Sequence, residues 1–299
     1  MRIITFQVHG RTRWGALHRG RAIDLNAAHD ARKLGMFFAP GVLDFLHAGE
    51  SAWRAAHETL DWLGDAELPE VTFPLAQIQL RAPIPRPGKV IGIGLNYMDH
   101  VRETKKAVPT KPILFAKFPS AVIGPYAPIH VIPDVTRRVD YEAELGVVIG
   151  KPAFRVSPAD ALERVFGYTV INDVSARDIQ HGAEYGHQWV RGKSFDTFCP
   201  MGPCITTRDE VPDPQNLSVR AVWNGHVLQD GNTRDMIFNV AALISYISQG
   251  ITLEPGDVIA TGTPNGVGDA RTPPVYLKHG DVIEIEVGTL GKLVNPVED

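Results

Sequence analysis

A mainly β, α+β fold is what this 299-residue sequence predicts, and three observations carry that reading. Glycine and proline number 28 and 23, a composition that favours many strands joined by tight turns over a helical bundle. Short β-branched runs recur, as in Tyr168-Thr-Val-Ile-Asn-Asp173, Val258-Ile-Ala-Thr261 and Val282-Ile-Glu-Ile-Glu-Val287. Helical periodicity is confined to a few short segments.

Taken in order, Ile3 to Val8 and Trp14 to Leu17 have strand composition, with Gly10 and Arg19-Gly20-Arg21 as turns. Val42, Phe45, Leu46, Trp53, Leu60 and Leu63 recur at helical spacing, broken at Gly49. Pro69, Pro74, Pro83, Pro85 and Pro87 then mark an extended crossing, because proline fixes φ and cannot donate to a sheet ladder. The expected organisation is a small N-terminal domain over residues 1–80 and a larger domain carrying the chemistry over 81–299. Lys89 to Gly94 reads as a short buried strand, and Asp99 to Lys106 as an exposed helix or mobile loop. Ser157 and Pro158 suit the N-cap and first position of a helix. Asn239 to Gln249 presents Val240, Leu243, Ile244 and Ile247 on one face, with Gly250 suited to a left-handed C-terminal position. Val282 to Val287 and Leu290 to Val294 close the chain as a hairpin.

Composition excludes several function classes. Thirty Lys and Arg against 34 Asp and Glu give a net charge of -4, so nucleic acid is not expected as a partner. No apolar run approaches the roughly 18 residues of a membrane span, and the start reads as a strand, so a cytoplasmic protein is expected. Cys199 and Cys204 have neither zinc nor redox spacing and read as buried thiols.

The chemistry gathers around Val139-Asp-Tyr-Glu-Ala-Glu-Leu-Gly146. On a strand Glu142 and Glu144 project from one side, and two like charges beside the apolar Val147-Val148-Ile149 call for a cation. Asp173, at the end of a second apolar strand, supplies a third carboxylate. Oxygen-only ligation suits Mg²⁺, Mn²⁺ or Ca²⁺ rather than zinc. Three carboxylates on a divalent ion leave one negative charge, for which Lys193 is the candidate partner, with Gly192 allowing close backbone approach. His100 and Glu103 share a face if helical, the pairing of a general base with its carboxylate. Gly92-Ile-Gly94 lacks the third glycine of a dinucleotide fingerprint, and Gly262-Thr-Pro-Asn-Gly266-Val-Gly268 lacks the ending of a phosphate loop; the latter reads as amides and the Thr263 hydroxyl offered to an oxygen ligand.

Five ordered motifs, Asn96-Tyr-x-x-His100-x-x-Glu103, Asp140-Tyr-Glu-x-Glu-Leu-Gly146, Asn172-Asp-Val-Ser-Ala-Arg-Asp178, Lys193-Ser-x-Asp-Thr-Phe-x-Pro-x-Gly-Pro203 and Thr261-Gly-Thr-Pro-x-Gly-Val-Gly268, resemble the fumarylacetoacetate hydrolase family in its shorter bacterial-type branch. The resemblance implies a mixed β-roll, usually a homodimer, holding Mg²⁺ or Mn²⁺ on Glu142, Glu144 and Asp173. It implies a lid bearing His100 and Glu103, enolate stabilisation by Lys193, substrate contacts from Gln180, Thr263 and Lys117, and a supporting role for Arg177. The first reading of function is hydrolysis of a C–C bond in a 2,4-dioxo acid through a metal-stabilised enolate. The alternatives are isomerisation, tautomerisation or decarboxylation of a 2-oxo acid, and non-catalytic 2-oxo acid binding.

Overall fold

A computed structural model describes residues 1–33 and 39–299. It is mainly β with short helices, the predicted class. Among the described residues the largest sheet has twelve strands. Along its main path run Thr72–Pro74, Arg21–Asp24, Arg11–His18, Arg2–Val8, Cys199–Thr207, Val165–Asn172, Ala143–Ile149, Val258–Ala260, Val90–Gly94 and Ile113–Lys117. Every pairing on that path is antiparallel except Val258–Ala260 beside Val90–Gly94. A five-stranded sheet, ordered His226–Asn232, Ser218–Trp223, Val282–Val287, Lys292–Glu298 and Ile129–His130, contains the predicted closing hairpin.

The strands Ala143–Ile149 and Val165–Asn172 lie at the centre and every residue in them is buried. Alternation explains how a continuous apolar run is tolerated there. Leu145, Val147 and Ile149 join the core shared with Ile283, Ile285 and Val287 of the five-stranded sheet, while Val148 faces a second core with Ile3, Phe45 and Leu60. Phe166 caps that second core, its ring centroid 4.9 Å from Trp53 and 6.0 Å from Phe45.

Helix boundaries follow the caps. Ser157 accepts from the Asp160 N–H ahead of Pro158–Ala161, and Asn239 accepts from the Ala242 N–H ahead of Val240–Ser248. Gly250 is not left-handed as predicted; the helix ends at Gln249 in right-handed geometry, with its N–H on Ile247 and Tyr246. Both cysteines are buried and free, and burial pushes the Cys199 thiol up to about 12.

Packing is continuous across residue 80: Arg2 and Ile3 pair with Thr206 and Ile205, and Phe166, Val148 and Ile205 share a core with the N-terminal helices. A fragment of residues 82–299 is therefore expected to aggregate or lose near-ultraviolet dichroism, since it uncovers both a strand edge and this apolar face. Sedimentation and circular dichroism of the fragment provide the check.

Candidate metal centre

Strand register decides where the carboxylates go. Ala143 pairs with Asn172, so Asp173, the next residue, donates its N–H to the Glu142 carbonyl at 2.9 Å. Glu142 precedes its strand rather than lying within it, yet its carboxylate still turns to the side of Glu144. One oxygen from each of Glu142, Glu144 and Asp173 lies within 4.8 Å of the other two, and all three residues are buried. Oxygens held at about 2.1 Å around an octahedral ion span up to about 4.2 Å, so a small contraction would close this trio on a cation.

Cations already surround the trio. Lys193 Nζ lies 2.7 Å from Glu142 Oε2 and 2.6 Å from Asp173 Oδ2. Arg177 reaches Glu142 Oε1 at 2.7 Å and Asp140 Oδ2 at 2.8 Å, and Lys117 Nζ lies 2.5 Å from Asp173 Oδ1. Four buried carboxylates thus face three buried cations, leaving a formal excess of one negative charge. Glu144 carries that excess. Among the described residues its hydrogen-bond donor is the Gly262 N–H, 2.9 Å from Oε2. Burial, then Asp173 and Glu142, pushes the Glu144 carboxyl well above the ordinary range. Burial also works to raise Glu142, but Lys193, Arg177 and His100 outweigh it and hold that carboxyl below the usual range. An oxygen-only donor set with one member lacking a cationic partner fits Mg²⁺ or Mn²⁺.

Glu142 and Lys193 line a cavity of about 620 Å³ together with His100, Glu103, Arg177, Gln180 and Thr263. The short helix Met98–Glu103 places His100 Nδ1 3.2 Å from Glu103 Oε2, and Glu103 Oε1 accepts the Gly266 N–H at 2.9 Å. The exposed helix or loop predicted over residues 99–106 holds in part: Met98–Glu103 is helical and Arg102, Lys105 and Lys106 are exposed, but His100 and Val101 are buried. The cause is Asn96, whose side chain bonds Phe238 in both directions and the Thr261 carbonyl, pulling the helix onto the core.

Gln180 Oε1 accepts from Arg177 at 2.9 Å, which leaves its amide N–H₂ to offer the cavity. Thr263 Oγ1 donates to the Ala143 carbonyl and accepts from Gln229 Nε2, so a lone pair is what remains for a ligand. Lys117 is not on the cavity wall, contrary to the substrate contact predicted for it. Its ammonium is fully buried on Asp173 Oδ1, the Val174 carbonyl and the Lys193 carbonyl, where it balances charge from beneath.

The sequence reading gave no role to Asp140 or Gln229. Asp140 accepts N–H bonds from Tyr141, Gly268 and Asp269 besides Arg177, and so fixes the group that orients Glu142 and Gln180. Gly268 is needed for this, because an added Cβ would lie 2.0 Å from the Val275 carbonyl and 2.6 Å from Asp140 Oδ1. Asp140 stands in a quoted motif and was findable; Gln229, in a polar strand, gave no signal.

A family model described as fumarylacetoacetate (FAA) hydrolase C-terminal matches residues 89–298. A mitochondrial oxaloacetate tautomerase of Xenopus laevis is 46% identical over 278 residues, covering 93% of this chain and 83% of that protein. A human mitochondrial oxaloacetate tautomerase is 46% identical over 253 residues, covering 85% and 78%. The solved fumarylacetoacetate hydrolase of Exiguobacterium antarcticum superposes with a TM-score of 0.84 at 38% identity, covering 100% of this chain and 99% of that one. The 2-hydroxyhepta-2,4-diene-1,7-dioate isomerase of Mycobacterium marinum gives 0.75 at 33%, covering 100% and 98%. These vertebrate relatives are mitochondrial by name and lend no support to the cytoplasmic expectation; no helix among the described residues is long and apolar enough to cross a membrane.

Glu144→Gln removes the unpartnered charge while keeping an oxygen for Gly262. The expected outcome is an unchanged or raised Tm without metal and loss of the Mn²⁺-induced rise, which in the wild type is worth about 2.7 kcal/mol at a hundredfold excess over Kd. Thermal melts with and without Mn²⁺ decide it. His181, on the cavity wall, is lowered to about 4 by burial, Lys106 and Arg177, so the folded protein binds fewer protons there than the unfolded chain. Its contribution to stability is therefore lost as pH falls from about 6.5 toward about 4, and His181→Gln should flatten that slope in urea midpoints measured across the window.

Proposed function

Since the chain belongs to the fumarylacetoacetate hydrolase family, we propose that it is a metal-assisted tautomerase or isomerase of a 2-oxo acid of the oxaloacetate type. This takes the alternative in preference to the first reading, C–C hydrolysis. The named activity at 46% identity is tautomerisation, while the relative titled a hydrolase stands at 38%. The observation that carries the proposal is the His100–Glu103 pair opening on the same cavity as Glu142 and Lys193. A proton carrier facing a group that stabilises an oxyanion is sufficient for keto–enol exchange, whereas hydrolysis also needs a water aimed at a second carbonyl. A purely binding protein would leave the pair without a task.

Glu142, Glu144 and Asp173 would hold Mg²⁺ or Mn²⁺, and the bound ion supplies a Lewis acid that polarises the 2-oxo group. Lys193 has two of its N–H bonds on Glu142 and Asp173, which leaves the third for the oxygen on which charge develops. Glu103 accepts the His100 Nδ1–H, fixing the tautomer that presents a bare Nε2. Nε2 takes the proton from C3 as the C2–C3 double bond forms and the carbonyl electron pair moves onto the oxygen. Delivery of that proton to the oxygen gives the enol, and the reverse path regenerates the ketone.

With Mn²⁺ present, the protein is expected to accelerate decay of oxaloacetate enol absorbance and to release no pyruvate from an acylpyruvate. His100→Ala should lower kcat by about 10²- to 10⁴-fold while the Mn²⁺-induced rise in Tm persists. Pyruvate released from the acylpyruvate at a rate matching tautomerisation would return the assignment to hydrolysis.

A further inference from the structure

Three Lys and Arg side chains line the cavity, and two are committed: Arg177 to Asp140 and Glu142, Lys193 to Glu142 and Asp173. Lys106 is different. Among the described residues no carboxylate lies within 4.0 Å of its Nζ, which instead sits 6.0 Å from the Trp189 ring centroid. His181 packs on the same indole, ring centroids 6.0 Å apart and planes at 79°. Lys106 and His181 therefore converge on one apolar wall of the cavity that also holds Glu142 and Lys193.

Lys106 stands exposed on the cavity wall with no counter-ion within ion-pair distance, so its ammonium is free to take up an anion. Burial, then Arg177, pushes its pKa down, and Glu142 and Asp269 pull the other way from beyond ion-pair distance. The charges at the opposite end do not require this cation. There, four carboxylates and three cations leave one negative charge, and a divalent ion turns this into one positive charge, which the carboxylate next to the 2-oxo group neutralises. A second carboxylate on the substrate would find no remaining partner at that end.

We propose that Lys106 and His181, seated against Trp189, form a subsite for the distal carboxylate, so that the enzyme selects dicarboxylic over monocarboxylic 2-oxo acids. This deepens the tautomerase reading and rests on it for the placement of the 2-oxo end. The ammonium supplies a charge-assisted hydrogen bond, the neutral imidazole an N–H donor, and the indole an apolar face beside both.

Malate and lactate test the subsite without turnover, because they share a chelating 2-hydroxy acid and differ in the distal carboxylate. Calorimetric titration of the Mn²⁺-loaded protein should show malate binding about tenfold or more tightly than lactate. Lys106→Met should erase that preference with lactate affinity changed by less than about threefold, and Lys106→Arg should retain most of it. A malate preference absent from the wild type, or unchanged in Lys106→Met because both affinities stay the same or fall equally, overturns the proposal. If oxaloacetate is not turned over while the Lys106-dependent malate preference stands, the tautomerase reading fails and the subsite survives.

Discussion

The site depends on one electrostatic constraint: Glu144 is ionisable, fully buried and next to Asp173 and Glu142, with, among the described residues, the Gly262 N–H to hold it. Removing a carboxylate from water costs several kcal/mol after relaxation, and buried ion pairs seldom repay that in stability. Four acids and three bases packed at the centre of a sheet are therefore poor material for a merely stable core. Their arrangement is coherent once the residual negative charge is reserved for a cation from outside the chain.

The surrounding structure serves to keep these charges where they are. Central strands buried on both faces cannot slip register without turning Leu145, Val147 and Val148 to the wrong cores, and that register is what sets Asp173 against Glu142. Close approach does the rest. A Cβ at Gly192 would lie 3.0 Å from the Gln180 N–H nitrogen and 3.1 Å from the Ala176 carbonyl, so glycine there lets the Lys193 helix settle against the Arg177 helix. Asp140 then locks Arg177, and Gln229 locks Thr263, so the polar groups facing the cavity are held by partners facing away from it. Such pre-arrangement spares the site reorganisation when charge develops on a substrate oxygen.

What the sequence disclosed and what it concealed divide along the same lines. Strand periodicity was enough to place Glu142 and Glu144 together, and motif order was enough to join His100 to Glu103, because both relations are local in the chain. The partner of Lys117 was not legible: whether a lysine reaches a cavity or ends beneath it depends on which strand lies beside Ile113–Lys117 and how deep, a non-local property. Lys106 is exposed, as its segment was expected to be, but that it also lines the cavity was not legible for the same reason, since the pull of Asn96 on Phe238 and Thr261 has no local signature. The named activity of the more similar relatives favours the alternative over the first reading of the reaction, and the motifs could not have ordered the two because they encode the oxygen-polarising end, which hydrolysis and tautomerisation share.

That division also suggests how one scaffold can support different outcomes. The floor of the cavity is built from strands whose register is fixed by two cores, so the chemistry proposed for it, enolate formation at a chelated 2-oxo acid, resists change. The wall carrying Lys106, His181 and Trp189 comes from the loop after the helix Met98–Glu103, the end of Arg177–His181 and the start of Trp189–Lys193, where side chains meet the cavity at the edges of short helices. Substitution there alters which tail a substrate may carry and whether water stands beside it, while leaving the charge balance beneath intact. Reaction type would then be decided by groups that contribute little to the fold, which is why an ordered set of motifs identifies the family more readily than the reaction.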